Sequence, residues 1–262
     1  MMAKYNNKLN MASLVLAIFS FSLSFGQQKE NFYKGHIAEK IFKKYQKIGL
    51  QTGISSLYVD NELNGMLFEF EKPRTFEIGL TYNFLQYEKL NFSVSAIYRT
   101  YNLKNYSNFK KEDSGYPVDI AGWLKIGPYF EYKLNTEMHY YFNLFNITIV
   151  NISVGPELTL ARKIYGTTIA ITENERAVGY TSVSDYNATT FFGANLSLGF
   201  NINTKPLLLQ PFITYHYQPK NLFTKVVTTR NLRVSENTVT KHHVTGNYFL
   251  IGLKIIPSRD LF

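Results

Sequence analysis

The 262-residue chain has no cysteine, a single tryptophan, five histidines and few charges, with Asp, Glu, Lys and Arg making up 18% of it. Without cysteine there is no disulfide scaffold, thiolate metal site, cysteine nucleophile or lipid anchor on a terminal Cys. An ordinary soluble domain carries about 25% charged residues, so this chain is poor in charge. It is not a disordered chain, which needs few aromatics and high charge: 45% of its residues are hydrophobic and 16% aromatic. Beyond the N-terminus no window reaches the roughly 18 uncharged apolar residues of a spanning helix. What the chain has in quantity is phenylalanine (21) and tyrosine (20), set among uncharged Asn, Thr, Ser and Gln, with a formal charge of +9.

Residues 1–26 read as a secretory signal peptide. Lys4 and Lys8 precede a weakly apolar run from Leu14 to Phe25, and Ser24 and Gly26 supply small residues for cleavage after Gly26. That run would rise about 18 Å as a helix, too short for a hydrocarbon core of about 30 Å. The predicted organisation is a signal peptide over 1–26, a periplasmic leader over 27–47 and a β-barrel over 48–262.

From residue 48 the apolar residues recur with period two. Residues 75–84 set Phe76, Ile78, Leu80, Tyr82 and Phe84 against Glu77, Gly79, Thr81 and Asn83. The same alternation predicts strands over 48–59, 90–99, 121–133, 150–161, 188–203, 207–218 and 245–256. Links between strands two and three (86–89) and six and seven (204–206) are short. Those at 60–74, 102–120, 162–187 and 219–244 are long, the asymmetry of an outer-membrane barrel with periplasmic turns and extracellular loops. Over 134–149 the alternation slips, which predicts a turn near Asn135 and a bulged start to strand five. The expected fold is therefore all-β: a closed antiparallel transmembrane barrel of about eight strands, ten being the alternative, with a short N-terminal helix. Tyr58, Tyr82, Phe84, Tyr98, Tyr132 and Tyr215 sit on the apolar faces as interfacial girdles require. A secreted β-sandwich with these aromatics in its core is the rival.

Several of these segments resemble the PorT-like outer-membrane barrel family of Bacteroidetes bacteria. They are IGLQTGISSLYV at 48–59, LNFSVSAIYRTYNL at 90–103, WLKIGPYFEYKL at 123–134, NISVGPELTLARKI at 151–164, FFGANLSLGFNI at 191–202 and YFLIGLKIIP at 248–257. The resemblance covers nearly all of the mature chain and implies a Gram-negative outer-membrane location and a barrel architecture. The family takes its name from a component linked to type IX protein secretion. Many barrels end in an aromatic read by the barrel-assembly machinery; here Pro257-Ser258-Arg259-Asp260 separates Phe262 from the last strand.

The polar faces carry Glu77, Arg99, Lys125, Glu131, Glu157 and Lys254, three acids and three bases. An eight-stranded barrel is just wide enough for side chains to fill, so these six are expected to form a neutralised lumen network; an acid–base pair such as Glu131 with Glu157 is the catalytic rival. Gly193 and Gly199 share a strand face and leave room for bulky lumen neighbours. They are not a phosphate loop, since no helix pattern follows. His242 and His243 point to opposite faces and do not make a metal site. His216 faces the lumen. Outer-membrane lipid A deacylases place a serine two residues after a strand histidine, where this chain has Gln218.

Residues 31–47 break the strand pattern. Ile37, Ile41, Phe42, Tyr45 and Ile48 approximate helical spacing among Lys34, Lys40, Lys43, Lys44 and Lys47. They suggest a basic amphipathic helix that lies on the inner leaflet, plugs the barrel mouth, or stays a disordered leader. Lys220, Lys225, Arg230, Arg233 and Lys241 form a basic stretch on the last long link, a solvated hairpin extension that could meet lipopolysaccharide phosphates. The function expected is a small outer-membrane barrel with a structural or interaction role, accessory to a secretion or envelope-assembly complex. No catalytic residues, cofactor or nucleic acid are expected. A lipid-modifying hydrolase and a small pore are the alternatives.

Overall fold

The computed structural model describes residues 36–62, 68–109, 120–144, 148–161, 167–173, 176–185, 190–230 and 237–261, so the export signal expected over 1–26 lies outside the described residues. After a helix α1 (Ile37–Lys44) come β1 (Ile48–Glu62), β2 (Phe68–Glu71), β3 (Arg74–Tyr87), β4 (Leu90–Phe109), β5 (Ile120–Leu144) and β6 (Thr148–Ala161). The chain continues through β7 (Thr167–Glu173), β8 (Arg176–Asp185), β9 (Thr190–Asn203), β10 (Leu207–Tyr217), β11 (Asn221–Arg230) and β12 (Asn237–Pro257). Eight of these strands form a closed antiparallel wall in the order β1–β3–β4–β5–β6–β9–β10–β12, and β12 pairs back onto β1 from Leu50↔Ile255 to Glu62↔Lys241. Eight, not ten, is the count of the wall.

The eight segments expected as strands are the eight wall strands. A 14-residue strand such as β3 rises about 46 Å and, tilted about 45°, spans about 33 Å, enough to cross a hydrocarbon core of about 30 Å. Along β3 the alternation is complete: Glu77, Thr81 and Asn83 are buried, while Phe76, Ile78, Leu80, Tyr82 and Phe84 are 40–59% exposed. Polar side chains point in and apolar ones out, the inverse of a water-soluble barrel. The outer surface continues through Ile54, Leu134, Val154, Phe192, Leu196 and Phe249, an apolar belt far larger than a dissolved monomer presents. All six girdle aromatics face outward. Lys72 stands 5.5 Å over the Tyr58 ring near one end of the belt, and Lys89 stands 6.0 Å over the Tyr140 ring near the other. A lysine reaching past an aromatic in this way marks each water boundary. No described helix is long and apolar enough to cross a membrane; the crossing is made by strands.

Two expectations are corrected. No turn occurs near Asn135: β5 is continuous to Leu144, and Asn135 pairs with Ser95 on one side and Glu157 on the other. Its inward series runs Glu131, Lys133, Asn135, Glu137, His139, Tyr141 and its outward series Tyr132, Leu134, Thr136, Met138, Tyr140. The apparent slip arises because Tyr141, though inward, is apolar where the lumen meets α1. The links at 102–120, 162–187 and 219–244 also hold strand: β4 and β5 run on into the first of them, and β7, β8 and β11 add a sheet onto β12.

Helix α1 seats inside the barrel mouth. Ile37, Ala38, Ile41, Phe42 and Tyr45 are buried against Tyr141, Ile149, Leu208 and Ile256, with Phe42 edge-on to Tyr141 at 6.4 Å. Of the three placements open from sequence, the structure shows the plug. Ile48 does not belong to that apolar face, because it begins β1 and is 57% exposed on the outer wall. The plug is also held by polar bonds. The Ala38 amide donates to Glu88 O (2.9 Å), the Glu88 amide to Glu39 Oε1 (2.9 Å) and the Tyr45 hydroxyl to Thr204 O (2.7 Å). Arg259, beyond β12, donates to Phe42 O (2.9 Å) and Tyr45 O (3.2 Å), the orphan carbonyls at the helix C-terminus. Residues after the last strand therefore clamp the plug. Glu88 has φ +50°, a left-handed geometry that favours glycine, in the two-residue turn that presents these groups to the helix.

Candidate functional site

The lumen is the place where this chain concentrates chemistry. Register brings one upper group together: Glu77 on β3 faces Arg99 on β4, which faces Glu131 on β5. Arg99 Nε donates to Glu131 Oε2 at 2.8 Å, its Nη2 makes a second contact with the same oxygen, and the Tyr101 hydroxyl donates to Glu131 Oε1 at 2.8 Å. Lys133 Nζ lies 3.2 Å from Glu157 Oε2 and 3.5 Å from Glu77 Oε1, and it also donates to the Tyr248 hydroxyl. That hydroxyl in turn donates to Glu77 Oε1 at 2.9 Å. His216 Nδ1 is 2.5 Å from Glu157 Oε2, and its ring stacks on Tyr248 at 4.3 Å. Three carboxylates thus meet one lysine and one arginine, with a histidine bonded to the third acid.

A second group lies nearer the plug. Lys254 Nζ donates to Glu137 Oε2 at 3.0 Å, and His139 Nε2 sits 2.7 Å from Ser93 Oγ and 3.7 Å from the same carboxylate. Below it, Gln210 Nε2 donates to Asn201 Oδ1 and Asn201 Nδ2 to Asn151 Oδ1 (3.3 Å), amides stacked across three strands. Gly199 leaves the space Asn151 occupies, since a Cβ there would lie 2.7 Å from Asn151 Oδ1; at Gly193 the near neighbour is instead the backbone oxygen of Tyr217, 2.5 Å away.

Of the six charges singled out in the sequence, Glu77, Arg99, Glu131 and Glu157 meet in the upper group and Lys254 lies in the lower one. Lys125 pairs with Lys104 across a register shift between Tyr101 and Leu103, and its side chain lies outside the described residues. Sequence reasoning passed over Lys133, although it lies in the expected strand 121–133 and in phase with Glu131, and passed over Glu137 and His139, which lie on the stretch of β5 misread around Asn135. It also passed over Tyr248, whose residue type hid an inward position in phase with Lys254. His216 faces the lumen as expected; Gln218 is buried beyond it and donates to Lys220 O at 3.0 Å. In the basic stretch Lys220 is exposed. Lys225 and Arg230 fall on β11 and Lys241 on β12, with side chains outside the described residues, as is the whole of Arg233. His242 and His243 lie on β12 beside Asn61 and Asp60, not on a loop, and the His242 side chain is outside the described residues. Among the described residues no group of three or more His, Asp or Glu side chains could hold a metal.

Apolar clusters of described residues flank the two charged groups. On the plug side lies the cluster around α1. On the other side Leu57, Tyr101, Tyr129, Phe191, Leu222 and Val244 pack into an apolar cap. Between the groups is a cavity of about 10 Å³ bordered by Asn135, Glu137, Thr214, His216 and Lys254, the size of a single water. Outside the membrane-crossing wall, Glu39 on the plug has its carboxyl held below the ordinary value of 4.5, chiefly by the Glu88 amide and then by His36.

These features define a membrane-spanning β-barrel of the outer-membrane type, with a plugged and internally ion-paired lumen. No family model and no curated protein matches the chain. Among solved structures it is similar to the outer membrane protein OprG from Pseudomonas aeruginosa (13% identity, 80% of this chain and 92% of that one, TM-score 0.42). It is also similar to Neisserial surface protein A (12%, 80% and 96%, 0.36) and to a major outer membrane protein from Thermus thermophilus (10%, 80% and 99%, 0.40). At these identities and TM-scores the similarity carries no inference; closure and orientation rest on the chain's own register and burial.

Proposed function

We propose that this protein is a structural or interaction component of a Gram-negative outer membrane, accessory to a secretion or envelope-assembly complex, and that it neither conducts nor catalyses. The observation that supports this reading is the filled lumen. Among the described residues its charged side chains pair with one another, apolar clusters lie on both sides of them, and the cavity between the two charged groups is that of one water. A hydrolase would need His216 within reach of substrate, but the ring is 2% exposed beneath the cap. The work of such a barrel then falls to its ends: the strands that extend beyond the belt, where the basic stretch would meet lipopolysaccharide, and the plug. The resemblance of the strand segments to the PorT-like family is in keeping with an accessory envelope role. Planar-bilayer recording of the full-length protein tests the reading: no current steps above the bare bilayer are expected, and long-lived open steps would overturn it.

A further inference from the structure

One stretch of the outer wall is recessed. A groove of about 400 Å³ crosses it, lined by Leu50 on β1, Ile78 and Leu80 on β3, Ala96 and Tyr98 on β4 and Tyr132 on β5. Its floor follows from one residue type. Ala96 faces outward in register between Leu80 and Leu134, so a single methyl stands where both neighbours carry a leucine side chain. Tyr98 and Tyr132 close one end with ring centroids 5.6 Å apart, and Phe130 stacks on Tyr98 at 5.9 Å. The three packed rings fix that end, which makes the recess part of the folded wall.

Register sets how the groove lies across the membrane. Leu50 is two residues from the start of β1 at Ile48, whereas Tyr132 is twelve residues from the end of β5 at Leu144. Both strand ends lie on the side of the short turns, the periplasmic side, so the tyrosine end is the extracellular end. Three spacings of about 4.8 Å between the four strands make the groove about 14 Å long. An extended hydrocarbon with bonds of about 1.5 Å advances about 1.3 Å per carbon, so about eleven carbons match that length. A methylene takes about the volume of a liquid water, about 30 Å³, so the groove holds about thirteen of them. Spread over its length, the volume gives a width of about 5–6 Å, that of one hydrocarbon chain and half that of a helix.

We propose that this groove holds one acyl chain of a lipid A molecule, with the headgroup at the tyrosine end. The groove is continuous with the apolar belt, so its occupant comes from the membrane. Its polar groups, the hydroxyls of Tyr98 and Tyr132, lie at the extracellular end, which puts the headgroup in the outer leaflet. In a Gram-negative outer membrane the lipid of that leaflet is lipopolysaccharide, anchored by lipid A. Arg74 shares the outward face of β3 with Phe76 and Ile78 and is exposed. It stands four residues above Ile78, about 13 Å along the strand, where the phosphates of that headgroup pass. Surrounding lipid tails are as apolar as the groove, so no hydrophobic gain holds the chain; close packing at Ala96 and the contacts of the headgroup do. This inference rests on the outer-membrane role proposed above and names one lipid that the barrel binds.

The test adds purified lipid A to the full-length protein in nonionic detergent and counts bound molecules by native mass spectrometry. Phosphatidylethanolamine with chains of matched length is the second probe. A96L levels the recess with its leucine neighbours, and A194L makes the same change at an exposed alanine of β9. R74Q removes the exposed cation and leaves the packed wall untouched. Heat-modifiable gel migration confirms folding. The parent is expected to retain one lipid A, A96L to bind it about tenfold more weakly and A194L to stay within about twofold of the parent. R74Q should weaken lipid A about threefold and leave phosphatidylethanolamine unchanged. Failure of the parent to retain lipid A, equal losses in A96L and A194L, or no loss in R74Q would overturn the proposal. So would phosphatidylethanolamine held as tightly as lipid A, or a parent dimer that A96L alone dissociates, which would assign the groove to a second copy of the chain. A conducting barrel whose A96L variant loses lipid A would overturn the function proposed above and leave this site standing. A silent barrel indifferent to A96L and R74Q would do the reverse.

Discussion

Replacing Lys133 with methionine keeps the length of the side chain and removes the cation that joins Glu157 to Glu77. The side chain of Lys133 is fully buried, and those of the two acids are 5% and 2% exposed, so neither carboxylate can turn to water. Breaking a buried pair by removing one partner costs about 3–5 kcal/mol. Here Glu157 keeps His216 and Thr159, and Glu77 keeps the Tyr248 hydroxyl, which places the loss at the lower end, about 3 kcal/mol. With a urea slope of about 2 kcal/mol/M, the unfolding midpoint in lipid vesicles falls by about 1.5 M. The double variant K133M/E157Q removes an acid along with the cation and should recover more than half of that loss, giving a positive coupling in a double-mutant cycle. An unchanged midpoint for K133M, or a double variant that simply adds the two single losses, would refute an ion-paired lumen.

Gly155→Ala should cost about 1–3 kcal/mol or lower the folded yield, because a Cβ there would lie 1.7 Å from the Thr136 backbone oxygen. Gly199→Ala, which meets the movable Asn151 side chain, should cost less in the same vesicle-folding assay. Arg259→Ala removes two bonds to the end of α1 and should speed amide exchange in the plug while leaving the wall strands protected; unchanged exchange at Tyr45 and Gln46 would count against the clamp. The Glu39 carboxylate has a lowered pKa in the folded protein, so its contribution is complete above the unfolded value of 4.5 and is lost as pH falls through the lower folded value. Exchange at the Glu88 amide, after correction for intrinsic rate, should therefore rise only in that acidic window.

The wall was legible in the sequence because a membrane barrel repeats one rule eight times: each inward position is polar or small and each outward one apolar. Phe76 to Phe84 shows this without interruption, and the short turns at 86–89 and 204–206 divide the strands correctly. The rule failed where a residue's type and its direction part company. Tyr141 and Tyr248 are inward and aromatic, one serving the plug and the other the ion-paired group, and reading Tyr141 as out of phase produced the false turn at Asn135. That error concealed Glu137 and His139. Which charges meet was not legible at all, since Arg99 finds Glu131 through the register of β4 on β5, and register is a property of two strands. The shift after Tyr101 makes the same point for the backbone pairing of Lys125 with Lys104. Helical spacing located α1, while its seat in the mouth depended on Ile149, Leu208 and Ile256, more than a hundred residues away.

The account stands on which way the side chains of the wall face, and the absence of native cysteine makes that directly measurable. Single cysteines at positions 78 to 84 of β3, spin-labelled in lipid vesicles, can be probed with oxygen, which enters hydrocarbon, and with a water-soluble nickel chelate. Leu80, Tyr82 and Phe84 positions should be open to oxygen, and Thr81 and Asn83 positions closed to both reagents, in strict alternation. Oxygen access at Thr81 and Asn83 with chelate access at Leu80 and Tyr82 would mean that the polar face meets lipid and the apolar face water, and the account would be wrong.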